Sequence, residues 1–242
     1  MFFKEHASFL DTSTHLKRRI LNNEVFINSL SEAYSYALLF FTLYEVTNDN
    51  QYYVKCKKII DDISVQAITN TPLDSITLAG ITSLLRHLGS AKPVILNQLE
   101  EKLLNIAFDF INSKQIGLIN GIQGILNYFT QNQTVEIRYQ FFLTEIIQKL
   151  QWIIKNDDLG SRIVYNKNTD LTMPWGLTGL LYSLMRVYHF STDNFIVGNI
   201  IDNSLKYILN YKSDVDFSNH SFDFFPNQVD DCNVLFFQII CL

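Results

Sequence analysis

Apolar residues recur at steps of three and four along several stretches of this chain, which is the spacing of one helix face. Complete runs are Cys56-Ile60-Ile63-Ala67, Leu99-Leu103-Ile106-Phe110 and Val197-Ile201-Leu205-Ile208, and the pairs Phe142-Ile146 and Leu150-Ile153 are shorter pieces of the same pattern. Polar and charged residues occupy the intervening positions. Each of these stretches therefore predicts an amphipathic helix with one face in the core and one in water.

A second kind of helical stretch alternates with the first and is apolar on nearly every side, as in residues 37–44 and 121–129. A helix without a polar face must be buried on most sides. Four pairs of such helices are predicted, starting near Ser31, Ile76, Leu118 and Pro174, and residues 1–28 are expected to form a leading helix. Buried inner helices inside a layer of amphipathic outer helices predict an α/α toroid.

Pairs of small residues three positions apart recur along the chain, and each pair is expected to open an inner helix. The pairs are Gly80 with Ser83, Gly121 with Gly124, and Gly176 with Gly179. A helix start without side chains lets neighbouring backbone approach, so close packing is the ordinary explanation. We therefore predict an all-α fold, an incomplete α/α toroid of helical hairpins, with residues 1–242 as a single domain.

Composition and charge narrow the class of partner. The net charge of -5 leaves no basic surface, which argues against nucleic acid. Three cysteines do not make a disulfide framework and fit a reducing compartment. The first residues do not resemble a signal peptide, and the longest apolar run, 36–44, is far short of the ~20 residues of a membrane span. We expect a cytoplasmic protein without a membrane span.

Other candidate sites are weaker. The five histidines are scattered and form no metal-binding pair on a helix. The segment from Asp214 begins like a calcium loop but lacks its glycine and final glutamate. The carboxylate pairs Asp61-Asp62 and Glu100-Glu101 are predicted on solvated outer faces. Asp157-Asp158, expected in a loop before Gly160, stays open as a glycosidase pair, although no tryptophan-rich sugar platform accompanies it.

The glycine-containing segments 119–128 and 170–181 carry a resemblance to the lanthionine synthetase C-like family, the cyclases that close thioether rings in ribosomally made peptides. Both segments look like the Gly-x-x-Gly helix starts of that family, and the second lies where the family reads Leu-Ala-His-Gly-x-x-Gly. The phenylalanines before Pro226 resemble the stretch that precedes the first zinc-ligand segment. Family members are much longer, so the resemblance implies a toroid truncated at its C-terminus.

The resemblance also implies a chemistry. A zinc ion held by two cysteines and a histidine would lower the pKa of a substrate cysteine, whose thiolate attacks a dehydroamino acid. A general acid would then protonate the resulting enolate. A shallow groove near the centre of the toroid would hold the peptide.

This chain departs from that pattern at the positions that carry the chemistry. Trp175 replaces the family histidine, and Gly117 stands where an aspartate is expected. Cys241 lies near the right distance after Pro226, but the zinc-ligand motif does not continue, and one cysteine cannot hold zinc alone. We therefore expect no catalytic residue and no metal ligand in this chain.

The expected role is accordingly non-catalytic: holding a ribosomally made precursor peptide, or docking to a dehydratase or a full-length cyclase. Two alternatives stay open. One is a zinc-dependent, lanthionine-forming cyclase completed by a second polypeptide, and the other is a plain helical scaffold protein.

Overall fold

The structure is a computed structural model that describes residues 29–69, 74–89, 93–131, 137–191, 193–212 and 225–230. Within these ranges the helices are α1 (Leu30–Thr47), α2 (Asn50–Thr69), α3 (Ser75–His87), α4 (Pro93–Asn112), α5 (Ile122–Thr130), α6 (Ile137–Ile153), α7 (Leu177–Tyr188) and α8 (Asn194–Leu209). Four short strands accompany them: β1 (Lys155–Asp157), β2 (Gly160–Arg162), β3 (Asn168–Asp170) and β4 (Gln228–Asp230). The predicted leading helix in residues 1–28 lies outside the described residues.

The helices form two layers. In the inner layer α1 packs on α3, α3 on α5, and α5 on α7, while α2, α4, α6 and α8 each pack against the inner helix that precedes them. Outer helices also pack on one another, α2 on α4 and α4 on α6. The all-α class and the four helical hairpins are therefore confirmed, whereas closure into a toroid and the single-domain boundary stay predictions.

The buried stripes of the outer helices agree with the sequence pattern on α2 and shift on α4 and α8. On α2 all four predicted positions are buried. On α4 the stripe continues through Leu104, Ala107 and Ile111 in place of Ile106 and Phe110. On α8 Leu205 is 41% exposed, and Tyr207 is buried instead. A helical period of 3.6 residues is compatible with either a step of three or a step of four, so packing against neighbours decides the final register.

Burial of the inner helices depends on their place in the layer. On α5, which lies between α3 and α7, only Asn127 is not buried. On α1, by contrast, Leu38 and Leu39 are each 42% exposed, and α7 presents Tyr182 and Met185 to solvent. The prediction that inner helices are buried on most sides is therefore wrong for α1, which among the described inner helices has a neighbour, α3, on one flank only.

Hydrogen bonds link the first turns of α1, α3 and α5 to the start of the next inner helix. The Ser31 hydroxyl donates to the Asp74 carboxylate at 3.3 Å. The Ser75 hydroxyl donates to the Ile119 carbonyl at 2.6 Å and also lies 3.3 Å from the carbonyl of Gly121. The third bond runs from the side-chain amide of Gln123 to the carbonyl of Gly176, 3.1 Å away. These bonds set the stagger between successive hairpins.

The expectation that Gly80 opens an inner helix is wrong. Helix α3 begins at Ser75 and is capped by the Asp74 carboxylate, which accepts a bond from the Thr77 amide at 2.7 Å. Gly80 lies inside α3, where a Cβ atom would collide with the ring of Tyr34 on α1. The glycine at this position therefore admits an aromatic side chain from the neighbouring inner helix.

The other scaffold glycines do lie at helix starts. Gly121 and Gly176 cap α5 and α7 with extended backbone and no side-chain bond. A Cβ atom on Gly121 or Gly124 would collide with the backbone of residues 116–118, and one on Gly176 or Gly179 would collide with the segment 170–173. The loop before each helix folds back over its first turn, and glycine leaves room for it.

The strands form two small antiparallel sheets that the sequence pattern did not predict. Strands β1 and β2 make a hairpin after α6, and β2 packs on α8. Strand β3 pairs with β4, with Thr169 opposite Val229. Strands of three residues are too short to show an alternating pattern of their own.

Candidate functional site

Gly117 and Trp175, the two positions at which the resemblance implies proton-transfer residues, lie against each other. A Cβ atom on Gly117 would be 3.0 Å from Cε3 of the Trp175 ring. The loops that carry them are joined by a hydrogen bond from the Leu118 amide to the Pro174 carbonyl at 2.8 Å. The indole therefore crowds the space next to position 117.

Both residues line a cavity of about 430 Å³ in front of the starts of α5 and α7. Two aromatic rings border the cavity, Tyr165 at 57% exposure and Trp175 at 47%. Five carboxamide side chains also line it: Gln115, Asn120, Asn166, Asn168 and Gln228. This combination of exposed rings and amides distinguishes the cavity from the apolar interior of the helical layers.

The β3–β4 sheet supplies one wall of the cavity. Successive residues of a strand point to opposite faces. Thr169 and Val229 are buried against the core, whereas Asn168, Asp170 and Gln228 lie on the cavity side. The sheet therefore turns a segment between helices into a polar wall.

A tight turn brings Asn166 to the cavity. Tyr165 and Asn168 exchange two backbone hydrogen bonds of 2.9 Å each, and the two residues between them, Asn166 and Lys167, have φ angles of 48° and 69°. Positive φ at both central positions is the mark of a type I′ turn, which asparagine tolerates well. The sequence signal is weak here because the second position is lysine rather than glycine.

The two charged side chains in the cavity wall, Lys114 and Asp170, each form hydrogen bonds within the protein. The Lys114 ammonium donates to the Val164 carbonyl at 3.2 Å. The Asp170 carboxylate accepts bonds from the Thr172 amide at 2.8 Å and from the Thr172 hydroxyl at 2.7 Å. In contrast, the five carboxamide side chains make no hydrogen bond to any other residue that the structure describes.

The described residues do not fit the zinc site that the resemblance implies. Among them no three histidine, cysteine, aspartate or glutamate side chains come together. Cys56 is buried on α2, and burial raises the pKa of its thiol to about 11. His87 ends α3 against the ring of Phe41, and His189 caps the end of α7. Other sequence candidates fall outside the described residues: Cys232, Cys241, His6, His15, His220 and the acidic segment 214–219.

Asp157 and Asp158 are not arranged as a catalytic pair. Asp157 lies on β1, not in a loop, and both its oxygens accept bonds from Arg162, at 2.8 and 2.7 Å. Arg162 is 1% exposed and stacks on the ring of Tyr207, 4.7 Å away. Arg162 accordingly holds the pKa of the Asp157 carboxyl below its usual range. Asp157 therefore anchors the hairpin to α8, which does not favour a glycosidase.

Glu100 is also placed differently from the sequence expectation. It is 0% exposed, whereas its neighbour Glu101 faces solvent. The Glu100 carboxylate accepts bonds from Arg86 on α3, from the Tyr128 hydroxyl on α5 at 2.8 Å, and from Tyr139 on α6. We call these four residues the Glu100 cluster. It joins four helices between the two layers. The sequence pattern of one helix cannot predict it, because the cluster depends on which residues of the other three helices contact Glu100.

Comparison with known proteins agrees with this fold. The family model described as "Lanthionine synthetase C-like protein" matches residues 28–226, which is most of the chain. The curated proteins searched yield no match. None of the helices in the described ranges has the length and hydropathy needed to cross a membrane.

Proposed function

Because the chain belongs to the lanthionine synthetase C-like family, we propose that it holds a peptide in the cavity beside Trp175 and does not itself close thioether rings. The observation that carries this proposal is the contact between Gly117 and Trp175. Both lie where the family resemblance implies groups that move protons, and neither carries such a group.

Because Gly117 and Trp175 contact each other, a substitution at one position affects the other. Glycine has no side chain, and the indole N–H is a donor that does not ionise in the physiological range. An aspartate at 117 would require the Trp175 ring to shift by a few tenths of an ångström, since its Cβ atom would lie 3.0 Å from Cε3 of that ring. A side chain restored at position 117 would therefore crowd the indole of Trp175.

The cavity retains features suited to holding a ligand. It lies in front of two inner helix starts, and its volume of about 430 Å³ falls within the ~300–1,000 Å³ typical of ligand sites. Exposed aromatic rings and convergent polar groups are the usual means of fixing a ligand's orientation there. A family whose known members act on peptides makes a peptide the first ligand to test.

The test uses a dehydrated peptide that contains one cysteine. Binding to the purified chain is measured by fluorescence anisotropy, ring closure is followed by loss of the alkylatable thiol in mass spectra, and bound zinc is measured in the same sample. We expect saturable binding without ring closure. Stoichiometric zinc together with ring closure would overturn the proposal and favour a cyclase.

A matched pair of variants locates the binding. Trp175→Ala should weaken peptide binding at least tenfold, because it removes one of the two rings that border the cavity. Trp152→Ala serves as the control, since Trp152 is 87% exposed on α6 and does not line this cavity. Equal binding by the two variants would place the peptide elsewhere.

A further inference from the structure

The charge and hydrogen-bonding character of the cavity specify its ligand more closely. Resting on the function proposed above, we infer that the cavity selects an uncharged, extended segment of peptide. The carboxamide side chains pair with the backbone amides of that segment, and an apolar side chain of the peptide rests on the ring of Trp175.

The charges of the cavity wall argue for an uncharged ligand. Lys114 and Asp170 are opposite in sign; Lys114 bonds to the Val164 carbonyl of a neighbouring loop, and Asp170 bonds to Thr172 of its own loop. Because the wall carries one charge of each sign, a charged ligand would meet a like charge as well as an opposite one and would gain no net attraction for leaving water. Burying a charge without a partner is strongly unfavourable. A lysine or aspartate in the bound segment is therefore selected against.

The carboxamides argue for a ligand that both donates and accepts hydrogen bonds. A side-chain amide offers two N–H donors and one carbonyl acceptor. A peptide backbone presents one donor and one acceptor at every residue, so side-chain amides can bind it in pairs of complementary bonds. Asn168 and Gln228 lie on adjacent strands and face the cavity from the same side of the sheet. They are placed to contact neighbouring peptide groups of one extended segment.

The aromatic rings supply the apolar part of the site. Trp175 lies against Gly117, lines the cavity and remains about half exposed. Tyr165 is held at the base of the type I′ turn and is likewise exposed. Rings in this position bind apolar side chains with little loss of conformational entropy, because they have few rotatable bonds.

Trp175 also provides the signal for the test. The chain has two tryptophans, so Trp152→Phe leaves Trp175 as its sole tryptophan. The probe is a tripeptide, glycine-leucine-glycine, acetylated at its N-terminus and amidated at its C-terminus. We expect a saturable blue shift of Trp175 emission on titration. Versions with lysine or aspartate in place of leucine, or with N-methylated peptide bonds, should bind at least tenfold more weakly.

Variants of the wall locate the contacts. Asn168→Leu and Gln228→Leu, tested separately, should each weaken binding of the neutral tripeptide at least fivefold while the circular dichroism spectrum stays unchanged. Asn199→Leu is the matched control, since Asn199 is an exposed amide on α8 that lines a different cavity. An equal effect of all three variants would contradict the assignment.

Three outcomes overturn the inference: equal affinity for the N-methylated peptide, tighter binding of a charged version, or preference for a neutral oligosaccharide such as maltotriose. Its failure can be told apart from failure of the proposed function. A precursor peptide whose binding depends on Trp175, while the charged or N-methylated tripeptides bind as tightly as the neutral one, would refute this inference alone. Tripeptide binding combined with ring closure of the precursor would refute only the non-catalytic role.

Discussion

The Glu100 cluster and the cavity beside Trp175 are both polar regions in a largely apolar helical array, but their polar groups are used differently. Glu100 is fully buried and receives hydrogen bonds from three other helices. The five cavity carboxamides are exposed and bond to no other described residue. Buried polar groups normally find partners within the fold. The comparison therefore separates polar residues that stabilise the structure from polar residues that remain available to a ligand.

The largest expected effect tests the stabilising side of this comparison. Glu100→Ala should lower the free energy of unfolding by ~3–5 kcal/mol, because it removes the buried carboxylate to which Arg86 and two tyrosine hydroxyls all donate. Urea denaturation monitored by circular dichroism measures the change.

Glu101→Ala provides the control at the next position, and as an exposed change it should stay within ~0.5 kcal/mol of wild type. A loss below ~1 kcal/mol for Glu100→Ala would show that the cluster is not a structural anchor.

The next effect tests whether Gly117 and Trp175, which both line the cavity, pack against each other. Gly117→Ala should cost ~1–3 kcal/mol in the wild-type background through overpacking against Trp175, and much less in a Trp175→Ala background. A double-mutant cycle of urea midpoints measures the coupling between the two positions.

Gly198→Ala is the steric control for this cycle. Its Cβ would lie 3.4 Å from Tyr188, an ordinary contact, and alanine is favoured over glycine inside a helix. We therefore expect Gly198→Ala to be neutral or stabilising. Additive effects of Gly117→Ala and Trp175→Ala would contradict the coupling.

A smaller effect concerns Asp157 and pH. Arg162 lowers the folded-state pKa of this carboxyl, so its contribution is present above the unfolded value of ~3.9 and is lost as pH falls through the lowered folded value. The stability difference between wild type and Asp157→Asn should shrink below pH ~4.

Urea midpoints between pH 3 and 7 measure this dependence. The amplitude should be modest because water reaches the carboxylate and screens the pair. The matched control is Asp158→Asn, which changes a neighbouring exposed carboxyl that does not bond to Arg162. A difference that grows on acidification would mean that the sign is wrong.

The smallest expected effect tests the ligand side of the comparison. Asn120→Ala should change the free energy of unfolding by no more than ~0.5 kcal/mol, because this exposed side chain bonds to no other described residue. Thermal denaturation is sufficient to measure it. A loss above ~1 kcal/mol would assign the amide a structural role instead.

Helical periodicity and family resemblance correctly predicted the all-α class, the alternation of inner and outer helices, and the four hairpin starts. The same reasoning failed where a residue's role depends on tertiary contacts with other helices. Gly80 looks like a helix-opening glycine but accommodates the Tyr34 ring, and Glu100 looks solvated but lies between four helices.

The site was predictable only in part. The sequence singled out Gly117 and Trp175 through the family motif, but not their contact, because that contact depends on how two loops pack. The carboxamide wall could not be foreseen, since it is assembled from the segment before α5, a type I′ turn and two three-residue strands. None of these pieces has a periodicity that a local pattern could reveal.

The bonds that join α1, α3 and α5 to the start of the next inner helix, from Ser31, Ser75 and Gln123, have a thermodynamic consequence. Each of the three runs between successive hairpins, so among the described residues these bonds couple neighbour to neighbour, as in a one-dimensional polymer. Opening should begin at the flanks, and amide hydrogens of α5, enclosed on both sides, should exchange more slowly than those of α1 or α7. Inserting or removing one hairpin would disturb its contacts with the hairpins before and after it. The number of hairpins can therefore change readily in evolution.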